Sequence, residues 1–195
     1  MQTPASEKLD PEAFATMYEQ SRSTLRIVAA GECGFDLADD IVQHGAIVAL
    51  QRLDQFTPGT NFLAWTSTIV RGVARNQRRS EQRHRSKILR LSSLFPKSGQ
   101  RNQQITQNTE QTQRPISPDL KLPDGFDDRI RDALDTLTAP QRTCLLMRTL
   151  LDHSYSEIGE ILEMPAATVR SHVYRSRSAL LDLLEEPQTT EGGER

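Results

Sequence analysis

The densest group of side chains able to do chemistry in this sequence is a run of cations between positions 71 and 90. Against one acid, Glu81, stand eight basic residues: Arg71, Arg75, Arg78, Arg79, Arg83, Arg85, Lys87 and Arg90. Guanidinium groups keep their charge near neutral pH and suit phosphate recognition. The whole chain nevertheless has a formal net charge of -2, and its acids are concentrated elsewhere, in residues 32–54 and 124–135. This segregation predicts one surface for a polyanion, with a merely solvated basic face as the alternative.

A helix is predicted to carry the first of these arginines. Its buried face is indicated by apolar residues at i, i+3, i+7 and i+11: Phe62, Trp65, Ile69 and Val73. Arg71, Arg75 and Arg78 are predicted to lie on the opposite side, because each residue turns an α-helix by roughly 100°. Such a layout is typical of a helix laid against a nucleic-acid backbone. Trp65 is interpreted mainly as a core residue, with contact to unpaired bases as the alternative.

The C-terminal third holds a second group of basic and hydroxyl side chains. A capping box at Ser154 and Glu157 predicts a short helix, residues 163–165 predict a break, and a longer helix is predicted from Ala166 to Leu184. This succession predicts a helix-turn-helix, whose second helix enters the major groove of DNA. Side chains there that could contact bases or phosphates are Thr168, Arg170, Ser171, His172, Arg175 and Arg177. An ordinary packed helical hairpin is the alternative.

The rest of the chain supplies the helices around these groups. Asp10 is a predicted N-cap of a first helix that stops between Gly31 and Gly34. A second helix is predicted from about residue 37 to about residue 53, and a further capping box at residues 138–141 starts another. No other type of regular element is predicted.

The domain map follows from composition. Residues 92–123 lack periodicity and are rich in Gln, Asn, Thr, Ser and Pro, which predicts a disordered linker because little apolar surface can offset the ordering entropy. With 195 residues, of which 36% are hydrophobic, the chain has room for one ordinary domain or two small ones. We predict an all-α fold of two small helical domains, 1–91 and 124–186, joined by a flexible linker and followed by a disordered tail, 187–195. The second domain is the helix-turn-helix.

Catalysis finds little support in the sequence. The histidines and cysteines lack metal-ligand spacing, and no Gly-rich phosphate loop, GxSxG or HExxH motif is present. We therefore expect no enzymatic activity, no cofactor and no metal. Cys33 and Cys144 are interpreted as small hydrophobic residues in a reducing compartment, and no run approaches the roughly 18 apolar residues of a membrane helix. A cytoplasmic protein without a membrane partner is expected.

Several short motifs occur in order along the chain. Residues 40–43 read Asp-Ile-Val-Gln, residues 62–65 read Phe-Leu-Ala-Trp, and residues 75–76 read Arg-Asn. Residues 154–159 read Ser-Tyr-Ser-Glu-Ile-Gly, and residues 168–171 read Thr-Val-Arg-Ser. The first three resemble the Asp-Leu-Val-Gln, Phe-x-Ala-Trp and Ala-Arg-Asn motifs in the second conserved region of the extracytoplasmic-function class of bacterial RNA polymerase sigma factors. The last two resemble the Ser-Tyr-x-Glu-Ile-Ala and Thr-Val-Arg-Ser motifs of that family's fourth region. Each motif alone is weak, but all of them in order at these separations are specific.

The resemblance implies a promoter-specificity factor that works as a subunit of bacterial core RNA polymerase. Its first domain would dock on the largest polymerase subunit through Asp39, Asp40, Gln43, Val48 and Leu50. The same domain would melt and read the minus-ten promoter element through Asn61, Trp65, Arg71, Arg75, Asn76, Arg78 and Arg79. The second domain would read the minus-thirty-five element of duplex promoter DNA through Thr168, Arg170, Ser171, His172, Arg175 and Arg177. An anti-sigma factor is a candidate further partner.

The chain also departs from the family pattern. After Gln43 the family usually has an acid and soon an aromatic residue, whereas residues 44–46 here are His-Gly-Ala, which bears on polymerase docking. Glu163 replaces a common turn glycine, which bears on the geometry of the turn. Pro165 replaces a frequent capping serine, although proline suits a helix start.

Two other classes of function are alternatives. A free-standing helix-turn-helix regulator would bind operator DNA without polymerase and would need a dimerisation surface to match a palindromic site. No heptad or other obvious dimer helix is present. A protein-interaction adaptor would use the basic run only as a solvated face, so its binding would depend little on salt and not on base sequence.

Overall fold

The computed structural model describes residues 9–94 and 128–185, and all regular elements within these ranges are helical. The helices are α1 (Pro11–Cys33), α2 (Phe35–Gln51), α3 (Phe62–Leu94), α4 (Asp128–Thr136), α5 (Ala139–Leu150), α6 (Tyr155–Leu162) and α7 (Ala166–Glu185), with a 3-10 turn, Leu53–Gln55, after α2. The predicted all-α class is confirmed. Helix α3 runs three residues into the predicted linker, and the rest of that linker and the tail lie outside the described residues.

Local signals set the first helix boundary. The Asp10 carboxylate accepts a hydrogen bond from the Ala13 N–H at 2.7 Å, as an N-cap residue does. Helix α1 ends at Cys33, and Gly34 follows with φ 89, a left-handed conformation that costs glycine little. Because α2 starts directly after this glycine, at Phe35, it begins and ends about two residues earlier than predicted.

Helices α1, α2 and α3 pack around shared buried side chains. The Tyr18 hydroxyl donates to the Val42 carbonyl at 2.7 Å, and burial raises the pKa of Tyr18 well above its ordinary value, so it remains a donor. Helices α2 and α3 approach closely at Gly45, where an added Cβ would lie 2.7 Å from Val70 Cγ2. The predicted stripe of α3 faces this bundle, with its first and third members buried and the others half-buried: Phe62, Trp65, Ile69 and Val73.

Both predicted capping boxes of the C-terminal unit are confirmed. The Thr138 N–H donates to Gln141 Oε1 at 3.1 Å at the start of α5. At the start of α6 the Ser154 N–H donates to Glu157 Oε2 at 2.7 Å, and the Glu157 N–H donates to Ser154 Oγ at 3.2 Å. These bonds with Ser154 hold the pKa of the Glu157 carboxyl below its ordinary value. Local sequence therefore determines where these helices begin.

The turn between α6 and α7 keeps a glycine-like geometry without a glycine at its centre. Glu163 adopts φ 54 and ψ 48, and the Met164 N–H donates to the Gly159 carbonyl at 2.9 Å. An added Cβ at Gly159 would lie 2.6 Å from the Met164 carbonyl oxygen, so the chain folds tightly over that position. Val169 and Val173 of α7 are buried against the preceding helices. The predicted helix-turn-helix is confirmed.

The two helical units also pack on each other, chiefly through α1 and α5. Their buried apolar side chains form one contiguous cluster. An added Cβ at Gly31 would lie 2.0 Å from Thr143 Oγ1, so the helices are nearly in backbone contact there. The buried Arg142 guanidinium donates through Nε to the Gly31 carbonyl at 2.9 Å and also pairs with Asp135. Residues 24–32 of α1 are consequently all buried.

Candidate nucleic-acid and protein interfaces

Helix α3 offers a long basic face to solvent. Its side chains from residue 75 to residue 88 are all exposed, and they include the predicted contact residues Arg75, Asn76, Arg78 and Arg79. Asn61 is exposed just before the helix, where its Oδ1 accepts from the Ala64 N–H at 3.0 Å and so caps the first turn. The capping bond fixes the Asn61 side chain at the N-terminal end of α3.

The arginines nearest the core contact Glu32 at the end of α1. Arg71 Nε lies 3.2 Å and Arg75 Nη2 3.9 Å from Glu32 Oε1, and Arg78 donates to the Glu32 carbonyl at 3.1 Å. Arg71 also donates to the Leu162 carbonyl at 3.1 Å, and its side chain is only 18% exposed. Arg71 is therefore half-buried, because the ends of α1 and α6 both cover it.

Trp65 belongs to an aromatic cluster at the start of α3. Its ring centroid lies 5.2 Å from that of Phe56 and 5.9 Å from that of Phe62, and Phe14 of α1 meets Phe62 edge-on. Such tilted and edge-on pairs are favourable ring geometries. Since Trp65 is half-buried, the cluster covers one part of the indole while another part reaches the surface. Both interpretations of Trp65 are therefore compatible with its position.

Helix α7 presents the second set of predicted contact residues. All are exposed except His172, which is half-buried: Thr168, Arg170, Ser171, His172, Arg175 and Arg177. Sequence reasoning missed Tyr174, whose side chain is 76% exposed on this helix. Its spacing of i+4 from Arg170 was the available signal, because residues at that spacing share a helix face.

Two arginines lie over the ring of Tyr155. Arg170 Cζ lies 5.8 Å and Arg148 Cζ 5.7 Å from its centroid, within the range of cation–π attraction. Arg148 is itself fixed by bonds of 3.1 and 3.2 Å to the carbonyls of Asp152 and His153. The first helix of the helix-turn-helix thus orients Arg170 on the second. Sequence reasoning named neither Tyr155 nor Arg148 as contact residues.

Helix α2 carries the predicted protein-binding residues on more than one face. The exposed ones are Asp40, Gln43 and Leu50. Val48 is half-buried against the core, and Asp39 pairs with the buried Arg26 at 3.0 Å. Ile47 was missed, yet it is 55% exposed between Gln43 and Leu50. The exposed row has the i, i+3, i+7, i+10 spacing of a single helix face.

Among the residues that the structure describes, the two thiols and the possible metal ligands do not form a site. Burial raises the pKa of both thiols, Cys33 and Cys144, to about 11, so both are protonated near neutral pH. No three His, Cys, Asp or Glu side chains in residues 9–94 and 128–185 gather closely enough to hold a metal ion. Among the helices of these same ranges, none has the length and apolar character needed to cross a membrane.

Comparison with known families matches both helical units. Residues 17–84 match the model of Sigma-70 region 2, and residues 127–180 match that of Sigma-70, region 4. The ECF RNA polymerase sigma factor EcfG of Rhodopseudomonas palustris (strain TIE-1) is 30% identical over 149 residues, spanning 76% of this chain and 72% of the relative. The ECF RNA polymerase sigma-E factor of Escherichia coli (strain K12) is 26% identical over 181 residues, spanning 89% and 87%.

Solved structures share the fold. The sigma factor RpoE from Bartonella quintana, crystallised with the anti-sigma factor NepR, aligns with a TM-score of 0.55 and 24% identity over 91% of this chain and 99% of that chain. CnrH in complex with the cytosolic domain of CnrY aligns with a TM-score of 0.54 and 19% identity over 90% and 89%. The chain belongs to the extracytoplasmic-function (ECF) sigma factors of the sigma-70 family and is an RNA polymerase sigma factor that acts in transcription initiation.

Proposed function

We propose that α3 binds the melted minus-ten element and that α7 reads the minus-thirty-five element of duplex promoter DNA. The observation that carries this proposal is that two separate helices each expose arginines to solvent. One of these helices also carries the half-buried Trp65, and the other directly follows the turn of the helix-turn-helix. A half-buried indole with a basic helix suits single-stranded bases and their phosphates. A recognition helix with Arg170, Tyr174 and Arg175 exposed suits a major groove.

The exposed row of α2 is the proposed polymerase-docking surface. It combines a carboxylate, an amide and two apolar side chains: Asp40, Gln43, Ile47 and Leu50. Protein interfaces commonly place apolar anchors at the centre and polar groups at the rim. Asp39 is turned toward Arg26, so its proposed role is to hold α2 on α1.

The remaining proposals concern the setting in which the chain acts. We propose that it catalyses no reaction and works in the cytoplasm, where polymerase and promoter DNA are found. An anti-sigma factor is a proposed further partner, since RpoE of Bartonella quintana was crystallised with one. The proposed domain map is 1–91 and 124–186, supported by the family matches inside each range. A regulator that acts without polymerase is not favoured, because it would leave region 2 without a role.

The test compares Arg175→Ala with Arg79→Ala in holoenzyme bound to a promoter set at several salt concentrations. Arg175→Ala should make the free energy of promoter binding less favourable by roughly 1–3 kcal/mol. It should also relax the base preference at one base pair of the minus-thirty-five element. Arg79→Ala should weaken holoenzyme binding to all promoters by a similar factor. It should also lower the slope of log affinity against log salt concentration by about one, as loss of a phosphate contact does. Arg79 is preferred to Arg78 because Arg78 bonds to Glu32.

The control is Arg22→Ala, which removes an arginine of α1 whose partner is the exposed Glu19. It should leave both base preference and salt slope unchanged. If Arg175→Ala and Arg79→Ala both behave like this control, the two surfaces do not bind DNA and the proposal is wrong.

A further inference from the structure

Tyr155, the first residue of α6, contacts arginines of both neighbouring helices in the C-terminal unit. Its half-buried ring lies under Arg148 of α5 and Arg170 of α7, whose Cζ atoms are 5.7 and 5.8 Å from the ring centroid. The face of an aromatic ring carries partial negative charge and attracts a guanidinium group. One neutral side chain therefore holds two cations that would otherwise repel each other.

Arg148 is the fixed member of this group. Its Nη1 donates to the Asp152 carbonyl at 3.1 Å and to the His153 carbonyl at 3.2 Å, just beyond the end of α5. The side chain is half-buried, and Asp152 turns the chain with φ 52 so that both carbonyls face it. The Tyr155 ring consequently lies against a cation that the backbone holds in place.

Arg170 is the free-standing member, because its side chain is exposed in the second turn of α7. The N-terminal residues of a recognition helix are the ones that contact base edges in the major groove. A long exposed side chain samples many rotamers, and fixing it on a partner costs conformational entropy. Contact with the Tyr155 ring reduces that cost, since it restricts the guanidinium before DNA arrives.

We propose that Tyr155 is a positioning residue which sets the base preference of Arg170 in the minus-thirty-five element. The proposal rests on the proposed function of α7 in reading duplex DNA. Held against the ring, Arg170 reaches the acceptors of one base pair, whereas a free side chain also reaches those of its neighbours. Tyr155 acts through Arg170, and Arg148 holds the ring. Loss of the attraction therefore relaxes base preference but leaves the salt dependence unchanged, because no phosphate contact is lost.

The test changes the charge on the ring face and keeps the shape of the ring. Tyr155→Phe removes only the hydroxyl, and pentafluorophenylalanine at position 155 has a ring of similar size whose fluorines withdraw the negative charge from its face. Holoenzyme made with each full-length variant is titrated with promoters that each carry one changed base pair in the minus-thirty-five element. The quantity measured is the ratio of affinities for the original and the changed promoter, at several salt concentrations.

Tyr155→Phe should keep the ratio at every base pair. The fluorinated variant should lower it by about two- to fivefold at one base pair, which corresponds to the strength of an exposed cation–π contact. Arg170→Ala should lower the ratio at the same base pair, and adding the fluorinated ring to Arg170→Ala should cause no further loss. Arg175→Ala is the matched control on the same helix. Its loss should combine independently with that of the fluorinated ring, as for sites that do not interact.

Three results would overturn the positioning role. A fluorinated variant with the same ratios as Tyr155→Phe shows that the charge of the ring face does not matter. A Tyr155→Phe variant that loses as much as the fluorinated one shows that the hydroxyl acts instead. An equal loss from the fluorinated ring with and without Arg170 shows that Tyr155 does not act through that arginine.

The two arginine variants separate failure of the positioning role from failure of the DNA surface. If Arg170→Ala keeps every ratio while Arg175→Ala lowers one, the positioning role is wrong and α7 still reads DNA. If both arginine variants keep every ratio, the proposed minus-thirty-five surface is itself wrong.

Discussion

Ile47 places an apolar side chain that is 55% exposed in the middle of the exposed row of α2. An isolated exposed aliphatic residue needs no explanation in itself. Here, however, Leu50 is 44% exposed one turn further along and Gln43 is exposed one turn earlier. The residues that the family pattern usually places after Gln43 are missing, so we propose these apolar side chains as the anchors for a partner.

Ile47→Ala should weaken association with core polymerase by about tenfold, because loss of an anchor at an interface commonly costs 1 kcal/mol or more. The free energy of unfolding should change by no more than about 0.5 kcal/mol, since the side chain is exposed. Fluorescence titration of core polymerase with labelled protein measures the first quantity. The matched control is Ile88→Ala on α3, which removes a side chain that is 52% exposed away from α2. Equal affinities for the two variants would contradict a central role for Ile47.

At the scale of elements, the helix-turn-helix shows how one unusual residue is accommodated. Glu163 takes the left-handed conformation at the end of α6 that glycine would take at a lower cost. The chain has its glycine at position 159, where the Met164 carbonyl comes within 2.6 Å of any added Cβ. The tight approach of the turn to α6 therefore depends on Gly159, while the conformation at Glu163 costs free energy.

Glu163→Gly should raise the free energy of unfolding by about 1 kcal/mol, because left-handed backbone costs other residues roughly 1–2 kcal/mol and glycine returns part of that gain as chain entropy. Asp152 is the other non-glycine residue with a positive φ among the described residues. Asp152→Gly should raise the free energy of unfolding by less, since Asp tolerates this conformation better than Glu does. Urea unfolding at constant slope measures both changes. A Glu163→Gly variant less stable than the unmodified chain would show that its side chain does more than tolerate the turn.

At the scale of the whole molecule, the buried cluster that runs from α1 to α5 links the two units energetically. Met147 of α5 and Ile27 of α1 are both fully buried in it. A cavity on one side of such a shared core lowers the stability of the other side as well, provided that the two unfold together. The single tryptophan, Trp65, lies in the N-terminal unit and reports on that unit alone.

Met147→Ala should lower the free energy of unfolding by about 2–5 kcal/mol, as large-to-small changes in a core do. Because the core is shared, the urea midpoint measured by Trp65 fluorescence should fall. The urea midpoint measured by circular dichroism should fall by the same amount. Leu181→Ala removes a side chain of the same unit that is 56% exposed and should shift neither midpoint. A Trp65 midpoint that stays in place while circular dichroism shows two steps would mean that the units unfold independently.

The sequence by itself determined the features that depend on near neighbours along the chain. The Asp10 cap, the capping boxes at Thr138 and Ser154 and the helix stop at Gly34 all rest on bonds between residues three or four apart, or on one residue's own conformation. Helical periodicity located the buried stripe of α3, and the succession of two helices and a break indicated the helix-turn-helix. Motif order indicated the family.

Only the tertiary structure decided which neighbour covers each face. Arg71 meets Glu32 across 39 positions of sequence and Leu162 across 91, so nothing local signals that it is covered. The same holds for Asp39, which turns to Arg26, and for the exposure of Ile47. Periodicity places a residue on a face of its helix, but the packing of several helices together decides whether that face meets solvent, an acid or another unit.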